Sequence, residues 1–339
     1  MNDGTAVHPG FPGMDRRILV VALNPALDIT HELPTVDWSG VNRPAAVMSR
    51  PGGKGLNVAR TLAALGADVL VAGLTGGRTG EAVGAGLAGA GVRAEFTPIA
   101  GETRRTFAVV DTGRGRTALF NEPGPEVTAA EYARFRERYE AEAAAGSAVV
   151  LSGSLPRGLP ESSYAELIKI AAAIGVPVVL DTSGPALPLG AAAGPAIVKP
   201  NLAELSALVG WVLPDLGADE TGPGGEQAPI VAAAAGLRAA GVAAVVVSLG
   251  AGGLLAVTGD GVWRATQPRR VAGNPTGAGD AVVAGLTLGL AAGRPWSERL
   301  RQAVALGYAT AAAPVAGEFG RDDYERALAE ATVTGTGVS

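Results

Sequence analysis

The stretch VAGNPTGAGDAVVAG, residues 271–285, places a small-residue turn and one carboxylate between two apolar runs. The turn lies where a strand ends and a helix begins, so the backbone N–H groups of Gly277, Ala278 and Gly279 can face one anion together with the helix dipole. Asp280 follows directly, and a role as a helix cap would not by itself require glycines beside it. A carboxylate next to an anion site suits phosphoryl transfer, because it can take a hydroxyl proton while the amides hold the moving charge. The stretch therefore predicts a catalytic centre with Asp280 as its base.

The composition predicts one large α/β domain. Of the 339 residues, 47% are apolar and 17% are charged, which allows a sizeable core. The net charge of −5 argues against a nucleic-acid partner, and no apolar run or signal-peptide pattern points to a membrane partner. The absence of cysteine excludes disulfides and thiolate metal sites and fits a cytoplasmic location. With only two histidines, a His-based triad or a multi-His zinc site is nearly excluded.

Short β-branched runs alternate with Ala- and Leu-rich stretches of helical spacing, which predicts a parallel sheet with helices on both faces. The predicted strands are Arg17–Leu23, Asp68–Gly73, Ala148–Ser152, Pro177–Asp181, Ala196–Lys199 and Ala243–Leu249. The predicted helices are Leu56–Leu65, Gly80–Gly89, Ala129–Ala145, Ser162–Ile174, Leu202–Val209, Ile230–Ala240 and Ala281–Leu290. Two regions differ, because residues 29–50 and 93–122 hold alternating, strand-like segments (Glu95–Pro98, Thr106–Asp111 and Arg116–Asn121 in the second region). They predict a small antiparallel sheet that covers a site.

The chain ends and one internal stretch are predicted to lie outside the core. Residues 1–15 are expected to be a flexible extension, 16–330 the folded domain and 331–339 a frayed tail, with an acidic Gly/Pro loop at 214–229. The sequence GAGLAG, residues 84–89, matches a dinucleotide-binding pattern, but it lies inside a helical stretch and not directly after a strand. We interpret it as close helix packing through small residues.

The chain has 24 arginines but only three lysines: Lys54, Lys169 and Lys199. The abundance of Ala, Gly and Arg suggests a bias that replaces lysine wherever arginine is tolerated. A lysine that persists under such a bias can be required as a compact ammonium group, because the wide guanidinium fork does not fit. Lys54 in PGGKGLN and Lys199 in IVKPNLAE are therefore candidate anion-binding residues.

Seven motifs in order resemble those of the PfkB (ribokinase-like) carbohydrate kinases. They are LNPALDIT (23–30), PGGKGLNVARTLAALG (51–66), SGSLPRGLP (152–160), DTSGPAL (181–187), VKPNLAEL (198–205), VVSLGAGGLL (246–255) and NPTGAGDAVVAGL (274–286). The resemblance covers about residues 16–320. It implies a three-layer α/β/α sandwich with a mainly parallel central sheet and a small β-sheet lid. It also implies phosphorylation of a sugar hydroxyl by ATP with Mg²⁺ (magnesium), and a homodimer formed through the lid sheets.

Four segments are similar to those of the hexose-phosphate kinases: NPALD and GGKGLN, which lie within these motifs, and GVNR (40–43) and ETRRT (102–106), which lie outside them. The resemblance implies that Arg43, Lys54 and Arg104 hold the phosphate already present on the sugar. Arg105 and Arg157 lie near these motifs and can equally be solvated surface charges. GVNR favours fructose 1-phosphate as the substrate, since the 6-phosphofructokinase relative carries a lysine in place of Val41. Tagatose 6-phosphate and fructose 6-phosphate remain open.

The resemblance also implies roles for other residues. On the sugar side, Asp28 holds hydroxyl groups with the help of Gly52, Gly53 and Asn57, and Ser152 lies at the boundary with the lid. On the nucleotide side, Lys199, Asn201 and Glu204 face the phosphates, with Glu204 ordering Mg²⁺ through water. Ser248, Gly250, Gly252, Gly253 and Gly279 are expected to shape the nucleotide site, and the loop near Pro314–Gly317 is expected to close over adenine.

Two other functions stay open. A sugar-phosphate sensor without turnover could share the fold, but a sensor would be free to lose Asp280, which this chain has. A kinase of a nucleoside or a free sugar is the second alternative. For such a kinase the three cations Arg43, Lys54 and Arg104 would be surplus.

Overall fold

The structure is a computed structural model, and the residues it describes are 16–214, 227–269, 271, 275–313, 315 and 317–337. The strands are β1 Arg17–Ala22, β2 Ala26–Leu33, β3 Ala46–Gly52, β4 Val69–Thr75, β5 Arg93–Pro98, β6 Arg104–Asp111, β7 Arg116–Asn121, β8 Gly146–Ser152, β9 Val178–Asp181, β10 Ile197–Val198, β11 Val245–Ser248, β12 Leu254–Thr258, β13 Gly261–Thr266 and β14 Thr332–Gly337. The helices are α1 Lys54–Ala64, α2 Gly77–Gly89, α3 Ala129–Ala144, α4 Ser163–Ala173, α5 Ala186–Ala192, α6 Leu202–Val209, α7 Ala228–Ala239, α8 Ala278–Ala291, α9 Trp296–Ala312 and α10 Arg321–Glu330. The extension predicted at 1–15, most of the acidic loop, Asn274, Pro314 and residues 338–339 lie outside the described residues.

Ten strands form the central sheet in the order β14-β13-β12-β11-β10-β9-β8-β1-β4-β5. The strands from β11 to β5 pair in parallel, and β12, β13 and β14 add an antiparallel edge. One face packs against α3 to α7 and the other against α1, α2 and α8 to α10. The predicted three-layer α/β/α fold is confirmed.

Strand β1 shows why this sheet reads as unbroken apolar runs in the sequence. Its side chains alternate, so that Leu19 and Val21 enter one helical layer while Ile18 and Val20 enter the other, all fully buried. A strand covered on both faces has no solvent side, and it therefore shows no polar alternation.

The lid is a separate four-stranded sheet in the order β3-β2-β6-β7. Two details of its prediction were wrong. The segment Glu95–Pro98 belongs to β5 in the central sheet, where it pairs in parallel with β4. The lid is also mixed, because β2 and β6 pair in parallel. Both strands leave the core for the lid, β2 after β1 and β6 after β5, so they run in the same direction.

The carboxyl-terminal prediction was also wrong. Residues 332–337, expected to fray, form β14 and pair along the whole of β13, with Thr336 opposite Val262. The β-branched residues Thr332, Val333 and Thr334 suit a strand, and Val333 packs against the apolar layer of that sheet face. The tail therefore forms a strand because it pairs with the edge of β13, which its composition did not indicate.

Helix α2 contains the GAGLAG stretch, and the packing interpretation holds at Gly86. A Cβ built on Gly86 would come within 2.6 Å of Pro51 at the end of β3. This glycine lets the helix lie close against the base of the lid. Among the described residues, no helix is both long enough and apolar enough to cross a bilayer.

Candidate active site

A cleft of about 1900 Å³ lies between the lid and the carboxyl ends of the parallel strands. Asn24 follows β1, Ser152 ends β8, Asp181 ends β9 and Lys199 follows β10, and all four line the cleft. Because the carboxyl ends of parallel strands meet at one edge, loops distant in sequence converge there. Pockets that hold one small ligand usually measure about 300–1,000 Å³, so this cleft has room for two substrates.

The amino-terminal turn of α8 faces this cleft. Its N-cap, Gly277, has a φ of +86°, in the left-handed region that favours glycine. Gly279 lies in the first turn, and a Cβ there would have the Lys199 Nζ as its nearest neighbour, 3.7 Å away. The Ala278 N–H donates to the Pro275 carbonyl at 3.1 Å within the turn, unlike the outward role predicted for it. The space beside Gly279 is therefore open toward the cleft rather than filled by core side chains.

Asp280, in the same turn, is 7% exposed and lines the cleft. Its Oδ2 accepts a hydrogen bond from the Asn57 Nδ2 at 2.8 Å. Burial first, and then the like charge of Asp181, raises the pKa of Asp280 to about 7, against the lowering effects of Asn57, Lys54 and Lys199. A carboxylate that titrates near neutral pH suits a general base, because it is both available and basic.

Asp181 was not among the site residues named from the sequence, yet it lies at the centre of the cleft. It is 1% exposed, and its Oδ1 lies 3.4 Å from the Lys54 Nζ and 3.3 Å from the Lys199 Nζ. The Ser152 Oγ donates to its other oxygen at 3.4 Å. A polar residue that ends the apolar run VVLD is the sequence signal that could have identified it.

Lys54 joins the two halves of the cleft. Its Nζ also lies 3.8 Å from the Glu204 Oε1. Burial opposes its charge, but the carboxylates of Asp181, Glu204 and Asp280 outweigh that effect and raise the pKa of Lys54 above its ordinary value. Lys54 therefore stays cationic. It was predicted to bind the sugar phosphate, but it also lies beside Glu204, which was predicted to face the nucleotide.

Asp28 and Arg104 line the cleft beneath the lid. Burial raises the pKa of Asp28, against the lowering effects of Arg50, Thr106, Arg104 and Arg60. A Cβ on Gly52 would overlap the Asp28 carboxylate, so this glycine makes room for it.

The base of the lid is held by backbone contacts around Arg104. Its Nε donates to the Asn24 carbonyl at 3.1 Å. Gly53 begins α1 with a φ of +89°, and the Arg104 Nη2 lies 3.7 Å from where its Cβ would be. Gly53 therefore adopts a positive φ that favours glycine, and its lack of a side chain leaves space for the Arg104 guanidinium.

Arg43 does not lie where the sequence analysis placed it. It is exposed on the connection between β2 and β3 and does not line the cleft of a single chain. Arg50 lines the cleft instead, directly across from Asp28 in the β2–β3 register. Opposed residues share one face of a sheet. The register places Arg50 on the inner face, and the sequence alone does not provide this register.

On the nucleotide side, Asn201 and Glu204 first of all cap α6. The Asn201 Oδ1 accepts from the Glu204 N–H at 2.8 Å, and the Glu204 Oε2 accepts from the Asn201 N–H at 2.9 Å. This reciprocal pair satisfies two N–H groups at the start of the helix. The Glu204 Oε1 is left facing Lys54.

The predicted glycine-rich nucleotide segment divides into two parts. Ser248, Gly250 and Gly253 line the cleft, whereas Gly252 is buried in the short 3₁₀ turn Gly250–Gly252. Gly253 has a φ of +83°, and a Cβ there would overlap the Ala265 carbonyl. Gly253 is therefore required by backbone packing whatever the ligand.

Comparison with known proteins identifies solved structures with a similar fold. Phosphofructokinase-2 from Escherichia coli is 32% identical over 93% of this chain and 98% of its own, with a TM-score of 0.85. Its complex with fructose-6-phosphate is 31% identical over the same shares, with a TM-score of 0.83. A possible 1-phosphofructokinase from Thermotoga maritima is 26% identical over 94% of this chain and 99% of its own, with a TM-score of 0.80.

A more distant structure, the ribokinase of Arabidopsis thaliana, is 22% identical over 92% of this chain and 98% of its own, and it shares the fold with a TM-score of 0.70. The profile of the pfkB family of carbohydrate kinases matches residues 22–319. That match covers most of the chain, including every cleft-lining residue described above. The chain therefore belongs to the pfkB family of carbohydrate kinases.

Proposed function

We propose that the chain transfers the γ-phosphoryl group of ATP to a hydroxyl of a hexose phosphate, with fructose 1-phosphate as substrate and fructose 1,6-bisphosphate as product. The observation that carries the proposal is Asp280. It is a buried carboxylate with a pKa near 7 at the start of α8, in a cleft with cations on either side. An acid–base group of this kind, poised beside an anion site, serves phosphoryl transfer.

In the proposed step, Asp280 takes the proton of the sugar hydroxyl while the oxygen forms a bond to the γ-phosphorus. The bond between that phosphorus and the β,γ-bridging oxygen breaks, and ADP leaves. The first-turn N–H groups of α8, with Lys199 and Lys54, offset the charge on the phosphoryl group during transfer. The lid covers the cleft and limits access of water to the γ-phosphate.

The residues present fit Mg²⁺ that is held mainly by phosphates and water. Among the described residues, no group of three or more His, Cys, Asp or Glu side chains could hold a metal by itself. Mg²⁺ usually keeps several waters and binds through one or two carboxylates and substrate phosphates. Glu204, whose Oε1 faces the cleft cation Lys54, would hold it through water. The ion would neutralise charge on the β- and γ-phosphates.

The sugar phosphate is proposed from the GVNR segment, and fructose 6-phosphate is the second candidate because the Escherichia coli relative was solved with it. An ADP-release assay across fructose 1-phosphate, tagatose 6-phosphate, fructose 6-phosphate, free fructose and ribose tests the choice. We expect the highest kcat/KM with fructose 1-phosphate. A higher value with another hexose phosphate would change the substrate. Binding without ADP release from any of them would favour a sensor.

Arg104 and Lys54 are expected to differ in what their loss changes. Arg104→Met should raise KM for the sugar phosphate about thirtyfold, because one charge-assisted contact contributes about 2 kcal/mol, with little change in KM for ATP. Lys54→Met should lower kcat as well, since Lys54 reaches Asp181 and Glu204. Initial-rate kinetics with each substrate varied in turn measure both effects. Equal effects of Arg104→Met on the two KM values would contradict the assignment.

The lid is expected to join two chains into a homodimer. Trp38 is 72% exposed, Val47 60% and Phe120 52%. A small sheet with this much exposed apolar surface is marginal in water. Arg43 lies on the same exposed lid, so a role in phosphate binding would require a partner chain.

Sedimentation at micromolar concentration tests the dimer. We expect the wild type to sediment as a dimer and Trp38→Ser to shift it toward the monomer. Trp211→Ser is the matched control, because Trp211 is 56% exposed but follows α6, away from the lid. A monomeric wild type, or equal effects of the two substitutions, would overturn the prediction.

A further inference from the structure

Helix α1 carries an arginine that does not line the cleft but contacts a residue that does. Asn57 and Arg60 are three residues apart and therefore lie on one face of α1. The Arg60 Nη2 donates to the Asn57 Oδ1 at 2.9 Å, and the Asn57 Nδ2 donates to the Asp280 Oδ2 at 2.8 Å. Arg60, Asn57 and Asp280 thus form one directed chain of hydrogen bonds.

The direction of this chain follows from the chemistry of its members. A guanidinium only donates, so it must face the amide oxygen of Asn57. An ionised carboxylate only accepts, so Asp280 must face the amide nitrogen. An asparagine without Arg60 could turn its amide over, and its oxygen would then face the carboxylate of Asp280 and repel it.

We propose that Arg60 is a positioning residue for phosphoryl transfer: it holds the amide of Asn57 so that Asn57 donates to one oxygen of Asp280 and leaves the other for the substrate hydroxyl. The proposal rests on the function proposed above for Asp280. It adds a residue outside the cleft that acts on the base through Asn57.

The surroundings of the Arg60–Asn57 contact keep it in place. Gly317, with a φ of +69°, covers the contact: its Cβ position lies 3.5 Å from both the Arg60 Nη2 and the Asn57 Oδ1. The Gly317 N–H donates to the Thr276 carbonyl at 3.0 Å, which ties this cover to the turn before α8. Gly317 therefore covers the Arg60–Asn57 contact while being bonded to the turn before α8.

The charges around Arg60 are mixed in sign. Burial and then the charge of Arg50 on β3 lower the pKa of Arg60, while Glu318 after α9, Asp28 on β2 and Asp280 on α8 raise it. A guanidinium stays protonated under these conditions. Arg60 is therefore a permanent charge near the base.

The groups that face Asp280 itself come from α1, from the end of β9 and from the residue after β10. Asp181 at the end of β9 disfavours its ionised form, and Lys54 on α1 and Lys199 after β10 favour it, as does the Asn57 hydrogen bond. Losing Arg60 would remove one positive charge and free the amide of Asn57. Both changes make the ionised base less favourable, so its titration should move to higher pH.

The test compares Arg60→Met with Arg321→Met. The Arg321 Nη2 donates to the Ala64 carbonyl at the far end of the same helix, so it controls for a general effect on α1. In Arg60→Met, the acid limb of kcat/KM should move up by about 1 pH unit. From a midpoint of about 7, that shift lowers kcat/KM at pH 7 about fivefold, with recovery at higher pH. Arg321→Met should keep the wild-type limb, and Arg60→Lys, which keeps a charge and a donor, should recover part of the shift.

A double-substitution cycle separates positioning from a merely structural role. If Arg60 acts through Asn57, then adding Arg60→Met to Asn57→Ala should shift the acid limb clearly less than Arg60→Met does alone, because only the loss of the positive charge remains. Additive shifts, or a limb in Arg60→Met that coincides with the wild type, would overturn the proposal. If Arg60→Met does not fold, Arg60→Leu, which also lacks a donor and a charge, gives the same comparison.

A second readout does not depend on turnover. Carbon-13 NMR of the carboxyl groups, with Asp280→Asn to identify the resonance, follows the titration of Asp280 in wild type and Arg60→Met. An unshifted titration would contradict the positioning role even in an active enzyme. If no sugar phosphate is phosphorylated, the proposed function fails, while this titration still decides whether Arg60 controls Asp280.

Discussion

Replacing Asp280 with asparagine is expected to lower kcat by about 10²–10⁴-fold, the usual contribution of a general base. Asparagine has nearly the same shape but cannot accept the hydroxyl proton. Since the substitution removes a step of the reaction and not a binding contact, dissociation constants for ATP and the sugar phosphate should stay within a few-fold of wild type. Steady-state kinetics and calorimetric binding measure the two quantities separately.

Its control is Asp322→Asn, because Asp322 also lies in the first turn of a helix, α10, but is exposed. Both variants therefore lose a negative charge in the first turn of a helix, but only Asp280→Asn loses the proposed base. The Asp322 variant should keep wild-type kcat. A kcat for Asp280→Asn near that of wild type would remove Asp280 from the mechanism.

The role of Asp280 as a base also predicts how kcat/KM depends on pH. Asp280 works in its ionised form, so wild-type kcat/KM should rise through a pKa of about 7, and the residual rate of Asp280→Asn should lack this limb. The pKa in the folded protein lies above its ordinary value of 3.8, so protonation of Asp280 favours folding. That contribution is present below about pH 4 and is lost as the pH rises through about 7. At pH 8 the asparagine variant should therefore unfold no more easily than wild type.

Gly279→Ala is expected to have the second largest effect, a loss in kcat of about 10²-fold, comparable to losing one donor of an oxyanion hole. The new methyl group would project toward the Lys199 Nζ, 3.7 Å away, into the space proposed for the phosphoryl group. The amides of this turn matter most as charge develops during transfer. The loss should therefore appear in kcat more than in KM for ATP.

Stability should not explain that loss. Gly279 lies inside α8 without a positive φ, and alanine is the better helix former by about 1 kcal/mol. Gly236→Ala, inside α7 with nothing within 4 Å of its Cβ position, is the matched control and should keep full activity. Thermal unfolding of the two variants, run beside their kinetics, checks both statements. Wild-type kcat in Gly279→Ala would mean that the phosphoryl group does not approach this turn.

The sequence by itself determined the local features of the protein. The alternation of apolar runs predicted the three-layer sandwich, and the helix predicted over Leu202–Val209 has those bounds in the structure. The glycines around residue 277 and the carboxylate after them predicted a helix from Ala281, and α8 begins three residues earlier, at Ala278. These features follow from periodicity and backbone preference within about 20 neighbouring residues, which a sequence displays directly.

Only the tertiary structure decided which distant residues meet. Asp181 contacts Ser152 and Lys199 because β9 lies between β8 and β10 in the sheet order, and no local pattern encodes that order. Arg50 faces the cleft because the β2–β3 register places it opposite Asp28, and a shift of one residue would turn it to the other face. Arg43 lies on the connection before β3.

The same distinction explains the two corrected elements and the base. Residues 332–337 are a strand because β13 offers them an edge, and Glu95–Pro98 is a core strand because β4 does. Asp280 has a pKa near 7 because folding buries it and brings Asp181 close, and neither effect exists in the unfolded chain. Chain neighbours fix which elements form, whereas burial and long-range pairing fix what their side chains can do.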